Sequence, residues 1–198
     1  VDPGYSQITH SAYAVEAVQI INGQVRVFDE VYMRGNDSGS ITTEDVIDRA
    51  RSNNWWKDVK HGVIDVAAKA QSERRPLDVW MQYGGLYMAT DQNRVDITSG
   101  IERYNTFLKQ DAVTQEPHMI FAERCRGALS EMGGATNPFD DQVHVYSWKT
   151  DREGNVVGKV PRDAFNHAVK AITYGLVSNY GVTKMTLGSK KIKTKRWV

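Results

Sequence analysis

A two-residue turn signal near the start of the chain constrains the fold more than any other feature of the sequence. Asn22-Gly23 separates two runs, residues 12–21 and 24–33, that are both rich in Val, Ile, Tyr and Phe. An Asn-Gly pair favours a tight β-hairpin because both turn positions need a positive φ, which these two residue types adopt readily. The sequence therefore predicts an antiparallel pair of long strands.

Short apolar runs alternate with helix-like segments after the hairpin. Residues 61–65 are typical of a buried parallel strand, because a short apolar run stands between two helix-like segments. Thr42 or Thr43 predicts the cap of a helix that ends near Arg51, and Pro161 predicts the first turn of a closing helix over residues 162–179. The other predicted elements are helices over 76–83, 97–108 and 123–132 and strands over 86–89, 118–122, 143–148 and 156–160. A hairpin beside parallel β/α units predicts an α/β fold, with a mixed β-sheet flanked by helices.

The charges divide the chain into an acidic body and a basic tail. Of the 198 residues, the last 15 hold six of the 25 basic residues and none of the 24 acidic ones, which leaves 19 basic residues in the body. We interpret residues 1–183 as one domain and 184–198 as a tail that either meets a polyanion or is simply solvated.

The cysteine count and the pattern of apolar residues exclude two classes of protein. Cys125 is the only cysteine, which excludes a disulfide scaffold. No stretch approaches the roughly 18 apolar residues of a membrane span, and no signal-peptide pattern opens the chain, so we expect a soluble protein from a reducing compartment.

Two aspartates follow short apolar strands, Asp2 after the first strand and Asp65 after the central one. Ligand sites of open α/β sheets collect at the carboxyl ends of the strands. Neighbouring carboxylates repel unless a cation lies between them, and hard divalent cations prefer oxygen ligands. The pair predicts a metal site if the two strands are adjacent; otherwise each aspartate only begins a turn or caps a helix.

The predicted closing helix carries two stripes of side chains. Phe165, Val169, Ile172 and Leu176 have the spacing of a core face. Asp163, His167, Lys170 and Tyr174 form the second stripe, so that Asp163 and His167 are predicted to point to one spot. That spot either completes the metal site or holds an acid at the start of the helix and a half-buried histidine.

The remaining charged residues are interpreted in simpler terms. We expect Glu16, Asp29 and Glu30 on the hairpin to be solvent-face charges, although one of them could reach the metal cluster. Lys149, Arg152 and Lys159 form either a phosphate-contacting arm or a plain solvated hairpin. Cys125 is predicted to be structural.

Four motifs in this order are similar to those of a known family. They are Val1-Asp2-Pro3-Gly4, then Phe28-Asp29-Glu30-Val31-Tyr32 with Thr42-Thr43-Glu44-Asp45, then Gly62-Val63-Ile64-Asp65-Val66-Ala67-Ala68-Lys69, and last Tyr146-Ser147-Trp148-Lys149 with residues 166–175. Over nearly its whole length the chain resembles the nuclease domain of the large terminase subunit of tailed bacteriophages.

The resemblance implies a ribonuclease H-like fold and metal-dependent endonucleolytic cleavage of double-stranded viral DNA during genome packaging, with low sequence specificity. On this reading two Mg²⁺ or Mn²⁺ ions act in the host cell cytoplasm, Asp2 bridges them, and Asp65 and Asp163 each hold one, with His167 nearby. Lys149, Arg152, Lys159, Lys190, Lys191 and Lys193 contact DNA. The implied partners are DNA, the portal protein, the small terminase subunit and an ATPase domain of the same polypeptide, and no membrane.

The last motif departs from the family pattern. Acids usually stand just before the histidine and three residues after it, where this chain has Asn166 and Lys170. Asp163 is therefore a substitute third acid that stands beside the motif. Two alternatives stay open: another ribonuclease H-like nuclease of the junction-resolvase or transposase type, and a DNA-binding or portal-docking module with weakened catalysis.

Overall fold

The fold is that of a computed structural model, which describes residues 1–4, 12–35, 41–65, 75–90 and 96–181. The strands are β1 (Tyr13–Ile21), β2 (Gln24–Met33), β3 (Gly62–Ile64), β4 (Met88–Thr90), β5 (Met119–Phe121), β6 (Trp148–Thr150) and β7 (Val156–Pro161). The helices are α1 (Thr43–Arg51), α2 (Pro76–Gln82), α3 (Ile97–Leu108), α4 (Arg126–Glu131) and α5 (His167–Tyr180), with a 3₁₀ turn at Trp56–Asp58. The basic tail and residues 66–69 of the third motif lie outside the described residues.

The predicted hairpin forms β1 and β2. Asn22 has a φ of 52° and Gly23 a φ of 83°, the left-handed values that the tight turn needs. β2 also pairs in parallel with β5, with Val25 opposite Met119. The hairpin is thus one side of a mixed sheet.

The first two residues join this hairpin to the second parallel pair, β3 and β4. Asp2 and Ala14 exchange two main-chain hydrogen bonds of 2.9 and 3.0 Å. On the other side, the amide of Asp65 donates to the carbonyl of Val1 at 3.3 Å. The strands therefore follow one another in the order β5, β2, β1, residues 1–2, β3 and β4. This arrangement confirms the predicted α/β fold with a mixed sheet.

Helices cover both faces of the sheet because side chains alternate along its strands. Ala14 faces a core built with α3, α4 and α5, whereas its neighbours Tyr13 and Val15 face a second core built with α1 and α2. Within the second core the indole nitrogen of Trp80 donates to the hydroxyl of Tyr13 at 2.8 Å. The helix that carries most of the second stripe, α5, thus packs on the same face as Ala14.

The start of α5 differs from the prediction. Pro161 ends β7 opposite Trp148, and the strand-like hydrogen bonding continues when Arg162 donates to the carbonyl of Ser147. Phe165 then has a φ of 53°, and α5 begins only at His167. The fixed φ of proline suits the end of an edge strand as well as a first helical turn, so Pro161 alone could not distinguish the two.

Among the residues that the structure describes, no helix has the length and apolarity to cross a membrane.

Candidate functional site

The carboxyl ends of two adjacent strands bring Asp2 and Asp65 together. The Val1–Asp65 hydrogen bond fixes the two main chains side by side. Asp2 is 5% exposed and Asp65 is half-buried. The two strand ends are neighbours, which is the condition set for the predicted metal site, because residues 1–2 lie between β1 and β3.

His167 contacts Asp2 from the first position of α5. Its Nδ1 lies 2.8 Å from Oδ2 of Asp2, and both side chains are largely buried. A carboxylate only accepts hydrogen bonds, so Nδ1 carries the proton in this contact. In the neutral imidazole Nε2 is then the acceptor nitrogen, which is the form that binds a metal ion.

Further along α5, Tyr174 reaches the second aspartate. Its hydroxyl donates to Oδ2 of Asp65 at 3.1 Å. Burial, followed by the charges of Asp2 and Asp65, raises the pKa of Tyr174 well above its usual range, so the hydroxyl stays protonated and keeps donating. His167 and Tyr174 of the predicted second stripe thus face the two strand-end acids.

Asp163 lies apart from this group. Its side chain is 87% exposed, and it accepts from Nζ of Lys170 at 3.0 Å and from Nδ2 of Asn166 at 3.2 Å. The Lys170 and Asn166 donors hold the pKa of Asp163 below its usual range. Because Asp163 precedes α5, the helical spacing that was to aim it with His167 at one spot does not apply.

The carboxylates of Asp2 and Asp65 lie on neighbouring strands, but the described side chains do not form a complete metal site. In the described segments, no three side chains of His, Cys, Asp or Glu are placed to hold a metal ion. What the site offers is a buried Asp2–His167 pair with Asp65 on the next strand.

Sequence reasoning missed that half-buried Glu30 and buried Glu131 accept hydrogen bonds at the N-termini of two helices. Glu30 accepts from the amides of Gly127 and Ala128 at 2.5 and 3.1 Å, at the start of α4. Glu131 accepts from the amides of Ala168 and Val169 at 3.1 and 2.8 Å, at the start of α5. Neither helix has a hydrogen-bonded cap from its own N-cap side chain. Little in the sequence signals these distant acceptors, because Asn166 is itself a favoured N-cap residue and only the structure shows that it does not cap α5.

The prediction that Glu16 and Glu30 are solvent-face charges is wrong. Glu16 lies opposite Glu30 in the hairpin and shares the strand face of Ala14, where α4 and α5 cover it. Both carboxyl oxygens of Glu16 are buried without a hydrogen-bond partner. Burial and the neighbouring charge of Glu30 raise the pKa of Glu16 well above its usual range. Burial likewise raises the pKa of Glu30 to about 7, against the opposing effect of its two amide donors.

The structure describes only some of the remaining candidate residues. Lys149 and Arg152 are exposed on the β6–β7 hairpin. The side chain of Lys159 and residues Lys190, Lys191 and Lys193 are outside the described part. Cys125 is fully buried, and burial raises the pKa of its thiol, which agrees with a structural role.

Two solved structures share this fold. The nuclease domain of the large terminase of bacteriophage SPP1, solved with bound Mn, matches with a TM-score of 0.55 and 16% identity over 87% of this chain and 80% of that one. The large terminase of a thermophilic bacteriophage matches with a TM-score of 0.54 and 13% identity over 89% of this chain and 42% of that one. Comparisons with family models and with curated proteins gave no match. The chain therefore shares the fold of these two phage terminase structures.

Proposed function

We propose that the chain is a metal-dependent endonuclease domain that cleaves double-stranded viral DNA during genome packaging. One observation carries the proposal: Asp2 and Asp65 end adjacent strands, with His167 hydrogen-bonded to Asp2. The fold shared with two phage terminases supports the same conclusion. The nuclease domain of the SPP1 terminase was solved with bound Mn, which supports a divalent cation as the cofactor.

The donor set fits Mg²⁺ or Mn²⁺. Carboxylate oxygens suit both ions and imidazole suits the softer one, and Asp2, Asp65 and His167 supply these groups. In the described part of the chain no three such side chains are placed to hold an ion, so these residues would have to close around it, and water and DNA phosphate oxygens would complete the coordination. When bound, such ions supply an activated water and stabilise the leaving oxygen in phosphodiester hydrolysis.

The chain's own residues hold the acids in place. His167 orients Asp2 through the 2.8 Å contact, and Tyr174 orients Asp65 through its hydroxyl. Burial strengthens both hydrogen bonds because little water competes. Asp163 would serve as a third carboxylate once it leaves Lys170, and Asp2, Asp65 and Asp163 would hold two ions, with His167 nearby.

DNA binding would rest on phosphate contacts from cationic side chains. Lys149 and Arg152 are exposed on one hairpin, and we add Lys159, Lys190, Lys191 and Lys193 from the sequence. Such contacts carry little sequence information, so specificity would be low. The portal protein, the small terminase subunit, an ATPase domain of the same polypeptide and a host-cytoplasmic setting follow from the family resemblance.

A second candidate function is a DNA-binding or docking module with weakened catalysis. The observation that favours it is the Lys170–Asp163 ion pair, which occupies the acid that would be the third ligand. A junction-resolvase type of nuclease is the remaining alternative, and a four-way-junction substrate distinguishes it from an enzyme that cuts linear duplexes.

Cleavage of a supercoiled plasmid tests the proposal. We expect nicking and linearisation with Mn²⁺ or Mg²⁺, none with EDTA, and loss of cleavage in Asp65→Asn. Asp58→Asn is the matched control, since Asp58 is exposed on the 3₁₀ turn and should cut like the parent. Cleavage by Asp65→Asn at the parental rate would refute the site, and DNA binding by a folded parent without cleavage would favour the docking module.

A further inference from the structure

The first turn of α5 depends on an acceptor from another helix. Four amides at a helix N-terminus have no partner within the helix. Asn166, the residue before α5, does not cap it, because its side-chain amide donates back to Arg162 and Asp163. Glu131 accepts from Ala168 and Val169 instead. The turn that begins with His167 is therefore held from α4.

Glu131 is itself fixed from the sheet. It is 1% exposed at the last position of α4. The hydroxyl of Tyr32 on β2 donates to its Oε1 at 2.9 Å, and the ring of Tyr32 stacks on Phe139 at a centroid distance of 5.4 Å. A chain of contacts thus runs from β2 through Glu131 to the helix that carries His167.

The contacts of Glu131 suit a residue that orients another residue and does not itself contact a substrate. Both oxygens of Glu131 are already occupied by donors, so the carboxyl orients the helix terminus without being available to a substrate. Burial raises the pKa of Glu131, while its amide and Tyr32 donors and the positive end of the helix favour the charged form. Hydrogen bonds from amides to that charged form are about twice as strong as neutral ones. A displacement of about 1 Å in a group that positions a catalytic residue can cost on the order of a hundredfold in rate.

We propose that Glu131 is a positioning residue for His167: by capping the first turn of α5, it sets the imidazole on Asp2. Tyr32 supports it by fixing the orientation of the carboxyl. The inference rests on the proposed function for its catalytic consequence, but its structural part stands on the contacts alone.

The test combines two variants with two readouts that need no metal. Glu131→Gln keeps the shape but lacks the charge, and Tyr32→Phe removes only the hydroxyl that holds Glu131. Amide hydrogen exchange at Ala168 and Val169 and the imidazole nitrogen resonances of His167 are measured in the metal-free protein. We expect exchange about tenfold faster in Glu131→Gln, since a lost cap of ordinary strength has that effect, with altered His167 resonances, and smaller changes of the same kind in Tyr32→Phe.

The matched control is Asp45→Asn. Asp45 accepts from the amide of Thr42, the N-cap of α1 in the other helical layer. Its loss therefore weakens a capping interaction without touching α5, and His167 should keep its parental resonances. If Glu131→Gln proves unfolded, Tyr32→Phe carries the test. Parental exchange and parental His167 resonances in the folded variants would overturn the inference, and so would equal changes in Asp45→Asn.

Cleavage kinetics separate this inference from the proposed function. With a parent that cleaves DNA, we expect Glu131→Gln to lower kcat about tenfold or more with KM unchanged, because the phosphate contacts lie elsewhere. A parent that does not cleave refutes the proposed function while the exchange and resonance data still decide the role of Glu131. A cleaving parent and an equally active Glu131→Gln refute the positioning role alone.

Discussion

Replacing Glu30 by Gln should change how the stability of the protein depends on pH. Burial raises the pKa of this carboxyl from an ordinary 4.5 to about 7 in the folded state. The folded protein therefore holds a proton that the unfolded chain releases, and stability is lost as pH rises from about 4.5 to about 7. A pKa difference of this size corresponds to about 3 kcal/mol of unfolding free energy.

Gln has no charge to bury and keeps one oxygen for the amides of Gly127 and Ala128. Relative to the wild type, the free energy of unfolding of Glu30→Gln should therefore increase by about 3 kcal/mol between roughly pH 4.5 and pH 7.5. Removing the charge of Glu30 also relieves Glu16, whose pKa that charge raises in the wild type, so the two effects act in the same direction. Urea denaturation followed by the fluorescence of the five tryptophans measures it at each pH.

The control for this experiment is Glu102→Gln, because Glu102 is exposed on α3. Its stability curve should run parallel to that of the wild type. The reasoning would be refuted if the Glu30→Gln curve were also parallel. It would equally be refuted if Glu30→Gln lost stability relative to the wild type as pH rose, since the amide donors would then outweigh burial.

Three further outcomes are expected. Gly127→Ala should cost about 1–3 kcal/mol, because the new Cβ lies 2.5 Å from ring carbons of Tyr32; an unchanged denaturation midpoint would contradict that packing. Thr42→Ala should lower the free energy of unfolding by about 1 kcal/mol, because the Asp45 amide loses its cap. Denaturation measures this loss, with an exposed Ser-to-Ala change as the control. The logarithm of the DNA affinity measured by gel shift should fall linearly with the logarithm of the salt concentration. Binding that does not depend on salt would argue against phosphate contacts.

Local signals in the sequence predicted the parts of the fold that local chemistry decides. The Asn22-Gly23 turn formed as predicted, because Asn and Gly readily adopt the positive φ that both turn positions need. Of the two predicted candidates, Thr42 and not Thr43 capped α1. The stripe that begins at His167 and reaches Tyr174 faced the two aspartates because a helix repeats its faces every three to four residues.

Nonlocal packing decided what the sequence did not predict. As charged residues on a hairpin, Glu16 and Glu30 were expected to face solvent, but α4 and α5 cover the strand face on which they lie. Glu131 accepts from the amide of Ala168, which stands 37 positions later in the chain, so no short sequence window contains both partners. Pro161 suited both a strand end and a helix start, and pairing with Trp148 decided between them.

The central claim is that the adjacent carboxylates of Asp2 and Asp65 hold the cation that cleavage needs. Electron paramagnetic resonance of Mn²⁺ tests it most directly, by titrating the ion into wild type, Asp65→Asn and Asp58→Asn with and without a short DNA duplex. We expect DNA to tighten Mn²⁺ binding by the wild type and by Asp58→Asn, and we expect Asp65→Asn to bind Mn²⁺ at least about tenfold more weakly. Equal Mn²⁺ affinities of the wild type and Asp65→Asn would contradict it.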